Sequence, residues 1–223
     1  MVDEQSNNRR FRLELGGQWE ITDFESLIEA LRISYSYFYW VAVPMEQVGE
    51  TTKRLLEQHF WSGRYESVRT AENLYSRIPE QYRLRVASLH YASPGWIELT
   101  GWICAISLMA GCAAAWLRTG DKAFDLFVKI DKYFKDRKLS PPPKVINLNE
   151  FTGADVDLAR ALCFEFGEKL GLPKTEIEHM IAMTGNPIST LRFLTNLSME
   201  AKRLVKLQEH QKLSLPPSSD PKP

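Results

Sequence analysis

The sequence predicts an α+β fold that is mostly helical: a small N-terminal strand pair with helices, one uncharged helix rich in small residues, and a C-terminal helical module. Two observations predict it. FRLEL (11–15) and YRLRVASLHYAS (82–93) alternate apolar and polar residues with the period of a strand. Most of the remaining chain repeats apolar residues every three or four positions and is punctuated by helix-ending glycines and prolines. At 44% hydrophobic and 25% charged residues, there is ample material for a core.

In order along the chain, Phe11, Leu13 and Leu15 give the first strand, and Gly16-Gly17 its turn. TDFE at 22–25 reads as a capping box opening a helix to about residue 42, with Phe24, Leu27, Ile28, Leu31, Tyr35 and Phe38 on its apolar stripe and Pro44 as its stop. A second helical pattern covers 45–61, SGR at 62–64 breaks it, and 65–78 holds a short helix before Pro79. The second strand follows; Val86 and Leu89 break strict alternation, which points to a bulge or to burial on both sides. Ser93-Pro94-Gly95 is its turn. A charged amphipathic helix is expected over 119–138, with Phe124, Phe127, Val128, Ile130, Tyr133 and Phe134 on one side. SPPP at 140–143 is a stiff spacer and the domain boundary. Beyond it come a helix over 154–170 ended by Gly171, another over 174–183 ended at Gly185, and a third to about 211 with Asn186 as N-cap and Pro187 at N1. The tail from 212 is expected to be disordered.

Residues 99–117, LTGWICAISLMAGCAAAWL, carry no charge over nineteen positions, which is long enough for a bilayer span. Trp96, Trp102 and Trp116 sit near its ends, as interfacial aromatics do. On a helix, Thr100, Cys104, Ser107, Gly111 and Ala114 step by four, three, four and three, gathering small and polar residues on one side. Helices packed around a symmetry axis, or lining a narrow pore, need such a face. From Arg118 to Lys144 there are eight Lys or Arg against four Asp, the bias of a cytoplasmic flank. A buried central helix of a soluble domain has the same composition. The aromatic stretch ISYSYFYWVAVPM (33–45) is the one other segment suited to a membrane interface; its rings divide more simply between core and surface.

Equal numbers of acidic and basic residues, 28 each, exclude a global field for nucleic acid or anionic membranes. Lys129, Lys132, Lys135, Arg137 and Lys138 form a local strip that could hold the phosphates of a nucleotide or oligonucleotide. Asp121, Asp125, Asp131 and Asp136 alternate with them at salt-bridge spacing, which makes a self-paired solvated face the plainer expectation. Arg9, Arg10 and Arg12 repeat the signal more weakly. The four histidines are scattered, and no catalytic motif, metal site or cofactor site is expected. Cys104, Cys112 and Cys163 include no CxxC pair and suit a reducing compartment. The polar start MVDEQSNNRR has no apolar core of a secretory signal.

The succession of strand, capping-box helix, second strand LRVASLHYASPGWIEL (84–99) and small-residue run resembles, in layout over residues 11–117, the compact membrane effectors of bacterial phage-defence systems, the Hailong effector type among them. That resemblance implies a homo-oligomer in the bacterial inner membrane, cytoplasmic soluble parts, and a pore regulated by a nucleotide or oligonucleotide. No binding residue is carried over from it. Two expectations follow. In the first, residues 99–117 line a regulated pore, and Ser107→Arg abolishes leak. In the second, the chain is a cytoplasmic interaction or scaffolding protein with 99–117 as its buried core helix, and Ser107→Arg unfolds it.

Overall fold

A computed structural model describes residues 8–59, 67–92, 94–138, 151–209 and 213–214. The SGR break at 62–64, Ser93, SPPP at 140–143, His210 and the tail from 215 lie outside the described residues. The fold is α+β and mostly helical, with a small antiparallel sheet.

Strand β1 (Asn8–Leu15) leads through a turn to helix α1 (Ile21–Ala42), which ends before Pro44 as its sequence dictates. The cap lies two residues earlier than TDFE implied. Asp23 Oδ2 accepts the Glu20 amide at 2.8 Å, so Glu20 and Asp23 close the helix start, and Thr22 falls inside the first turn. Helices α2 (Glu50–His59) and α3 (Ser67–Ser76) follow, then β2 (Arg85–His90) and β3 (Gly95–Trp102). Helix α4 (Ile103–Asp136), α5 (Gly153–Lys169), α6 (Lys174–Thr184), α7 (Pro187–Glu209) and the two-residue β4 (Leu213–Ser214) complete the chain.

The sheet order is β2-β3-β1-β4. β3 is central and pairs on both sides: Phe11 faces Leu99 and Leu13 faces Ile97 on β1, while Val86 faces Leu99 and His90 faces Trp96 on β2. Of the two alternatives for β2 the structure has the bulge, between Val86 and Ser88. Leu213 and Ser214, which the sequence assigns to a disordered tail, pair with Leu15 and Glu14.

The largest departure from expectation lies in the uncharged run. Residues 99–102 are the end of a strand, so the helix starts at Ile103 rather than at Leu99. β3 alternates strictly, with Ile97, Leu99 and Gly101 inward and Trp96, Glu98 and Thr100 outward. Two flanking strands satisfy its backbone groups, an advantage that composition alone does not reveal. Gly101 allows a close approach here: a Cβ would lie 3.1 Å from the Tyr35 ring, which would have to shift by a few tenths of an ångström. Helix α4 then runs unbroken through Arg118, so the expected separate helix over 119–138 is its second half.

Around α4 pack α1, α5 and α7, and one hydrophobic core joins residues of all of them to the inner sheet face. Residues 33–41 of α1 are buried on every side, so the aromatic rings of Tyr35, Tyr37, Phe38, Tyr39 and Trp40 are all interior. The expected division of these rings between core and surface does not occur, because α3, α4, α6 and α7 enclose this stretch. α7 is similarly enclosed over 187–194, and its buried residues include Ser189, Thr190, Arg192, Asn196, Ser198 and Glu200. Its start is as expected, with Asn186 Oδ1 accepting the Ser189 amide at 2.8 Å.

The Tyr35 hydroxyl joins α1 to the junction of β3 and α4. It donates to the Tyr82 carbonyl and accepts the Trp102 amide at 2.8 Å. Tyr35→Phe removes the hydroxyl and leaves both backbone groups without that partner. The expected cost is about 1–3 kcal/mol, read as a lower urea midpoint with an unchanged slope. A stability equal to that of the parent would show that the junction does not depend on this hydroxyl.

Candidate functional site along the long helix

All ten site residues expected from the sequence lie on α4, on its C-terminal continuation, or just before it. Thr100 is not on the helix at all: it sits on the outer sheet face, in register with Arg10 on one side and Arg85 on the other. The five-residue axial face is therefore reduced to four. Cys104 and Ser107 are exposed, and Gly111 and Ala114 are half-buried. The inner face, Ala105, Ile106, Met109, Cys112, Ala113 and Trp116, is buried. Burial pushes the Cys112 thiol up to about 12.

Small residues at this level have an intrachain use. The turn after α5 reverses at Gly171, whose φ of +73° only glycine adopts cheaply. A Cβ there would lie 2.9 Å from the Ala115 Cβ, and the Gly111 carbonyl is 3.5 Å away. One turn on, the Thr119 hydroxyl stands 2.8 Å from the Ala115 carbonyl and 3.0 Å from the Lys169 carbonyl at the end of α5. Small side chains at 111 and 115 thus let the α5–α6 turn approach α4 closely.

The basic strip is dispersed rather than convergent. Lys129, Lys132, Lys135, Arg137 and Lys138 are all exposed. Lys135 pairs with Asp131 one turn earlier, as the self-paired reading requires. Arg137 is engaged elsewhere: it pairs with the buried Asp155 carboxylate, and its guanidinium lies 5.9 Å from the Tyr133 ring centroid. Asp155 belongs to the Thr152 cap of α5, and Thr152 N donates to it at 3.0 Å. Of the N-terminal arginines, Arg10 lies 3.8 Å from Glu98, and Arg12 stacks 4.3 Å above Trp96. Among the described residues no group of three metal-binding side chains converges.

The apolar stripe of the second half of α4 is also rotated from expectation. Ala123, Leu126, Ile130, Tyr133 and Phe134 face the core, whereas Phe124 and Val128 are half-exposed. Phe124 borders a groove between α4 and α7 with a cavity of about 370 Å³. Trp116, Phe124 and Phe127 form its α4 wall, and Ser198 and Met199 its α7 wall. Lys202, Arg203 and Lys206 form the rim, with the Lys202 ammonium 5.6 Å from the Phe124 ring centroid. Arg203 reaches back 3.3 Å to Glu200, whose carboxyl is pushed up by burial. On the other side of Trp116, Arg118 and Lys122 line a neighbouring hollow. The sequence held one signal for this site: AKRLVK at 201–206 places three cations on the outer side of a helix whose other positions are apolar.

Asp155 supplies a pH test of the α4–α5 link. Hydrogen bonds from the Thr152 amide and hydroxyl, and then the Arg137 charge, hold its carboxyl below the ordinary 3.8. A depressed folded-state pKa contributes stability above the unfolded value and loses it as the pH falls. Asp155→Asn is expected to lower Tm at pH 7, with the gap to the parent closing below about pH 4. A gap independent of pH would mean that the carboxylate charge is not what holds this cap. No protein-family model, no curated protein and no solved structure matches the chain.

Proposed function

We propose that the chain is an interaction or scaffolding protein in which α4 is a core helix. The observation that carries this reading is the burial of Ile106, Met109, Cys112, Ala113 and Trp116 within the chain, on a helix that continues to Asp136 with its inner face still buried. Lifting the first half of α4 into a bilayer would uncover its apolar partners on α1 and α7. Each large apolar side chain so exposed costs about 1.5–3 kcal/mol, and a few of them match the total stability of an ordinary domain, about 5–15 kcal/mol.

A regulated homo-oligomeric pore is the second reading, and one observation favours it. Ile103–Gly120 is long and apolar enough to cross a membrane, and 39% of that window is buried inside the chain. In that reading Cys104, Ser107, Gly111 and Ala114 face the axis of an oligomer. An anionic ligand, a nucleotide or oligonucleotide, would act from the exposed Lys129, Lys132 and Lys138.

Extraction with alkaline carbonate separates the two. Release of the chain into the soluble fraction supports the core-helix reading, and retention in the membrane pellet contradicts it. A pair of variants sharpens the test. Ser107 is at the surface of the folded chain, so Ser107→Arg should fold with an almost unchanged Tm rather than unfold as a wholly buried 99–117 would require. Cys112→Arg buries an unpaired charge and should abolish the folding transition. In the pore reading Ser107→Arg instead abolishes liposome leak.

A further inference from the structure

We propose that the groove between α4 and α7 binds one long-chain carboxylate, its aliphatic chain against the aromatic wall and its head at Lys202. The site rests on α4 being packed on α7, as in the core-helix reading. Two features of the groove, its shape and its charge, converge on this ligand.

The first is shape. A cavity of about 370 Å³ is at the lower end of the range for small-molecule sites, about 300–1,000 Å³. Its lining on α4 ends at Phe127, and beyond the half-exposed Val128 the outward positions include Lys129 and Lys132. A single flexible chain needs only the stretch from Trp116 to Phe127.

The second is charge. Lys202 and Lys206 lie one turn apart on α7, and neither pairs with a carboxylate among the described residues. Arg118 and Lys122 stand beyond Trp116. The one acidic group engaged with the rim, Glu200, is directed to Arg203. An apolar wall edged by cations is complementary in charge to an amphiphile with one anionic end.

The test is calorimetric titration of the full chain with hexadecanoate below its micelle concentration, with hexadecanol as the neutral control. Saturable binding at one site per chain is expected, with the alcohol at least about tenfold weaker. Lys202→Gln with Lys206→Gln should weaken the carboxylate by about tenfold and leave the alcohol unchanged. Met199→Trp, which fills the cavity, should remove both. The double lysine variant alters only exposed groups and keeps the test valid should Met199→Trp fail to fold. Absence of saturable binding by a chain with a normal melting transition would overturn the proposal while leaving the core-helix reading intact. Equal affinity for acid and alcohol, or binding only to anionic vesicles, would also overturn it.

Discussion

The hydroxyl of Tyr35 ties α1 to the point where the uncharged run changes from strand to helix. It sits within a helix whose flanking residues are wholly enclosed, and it addresses two backbone groups that the sheet and the helices leave over, the Tyr82 carbonyl and the Trp102 amide. Burial raises its pKa, so it stays a neutral donor and acceptor through the physiological range. Gly101 makes the contact feasible by leaving space for the ring. This group links α1 to Trp102, the last residue of β3, directly before α4 begins at Ile103. The orientation of every later side chain on α4 follows from that starting point.

The orientation explains why residues that look alike in the sequence differ in role. Once α4 begins at Ile103, Ile106, Met109, Ala113 and Trp116 turn toward α1 and α7, and Cys104 and Ser107 turn to solvent. Phe124 and Val128 then fall outside the inner stripe even though they belong to an apolar pattern. The groove is a consequence of that rotation. Phe124 is left at the edge of the α4–α7 contact, where Lys202 covers part of its ring.

Much of the fold was legible wherever a local signal acts alone. Pro44 ending α1, Gly171 and Gly185 closing α5 and α6, and Asn186-Pro187 opening α7 are all as the residues dictate. The two strands flanking β3 were also readable, and the bulge in β2 was one of two alternatives its broken alternation allowed. What was not legible depends on partners distant in sequence. WIELTGW has few marks of a strand until β1 and β2 are placed on either side of it. Composition read residues 99–117 as a bilayer span or a buried core helix, yet the most enclosed stretch of helix after α1 lies in α7, which carries Thr190, Arg192 and Asn196 inside. Arg192 is tolerated there partly because its guanidinium lies 4.7 Å from the Phe134 ring centroid. The basic strip misled for a related reason. Spacing on one helix places lysines and Arg137 together, but Arg137 is drawn away by a carboxylate at Asp155, eighteen positions later in the chain. The α4–α7 groove joins two segments about eighty residues apart, so its aromatic wall and its cationic rim are never adjacent in the sequence.

Hydrogen exchange over residues 95–120, measured in aqueous buffer without detergent or lipid, tests the packing of α4 most directly. A packed core helix requires slow exchange from Ile97 through the Trp102 amide and on through Ala105 to Trp116, all opening with the free energy of global unfolding. Fast exchange over Ile103–Gly120 that becomes slow only on adding lipid would contradict it.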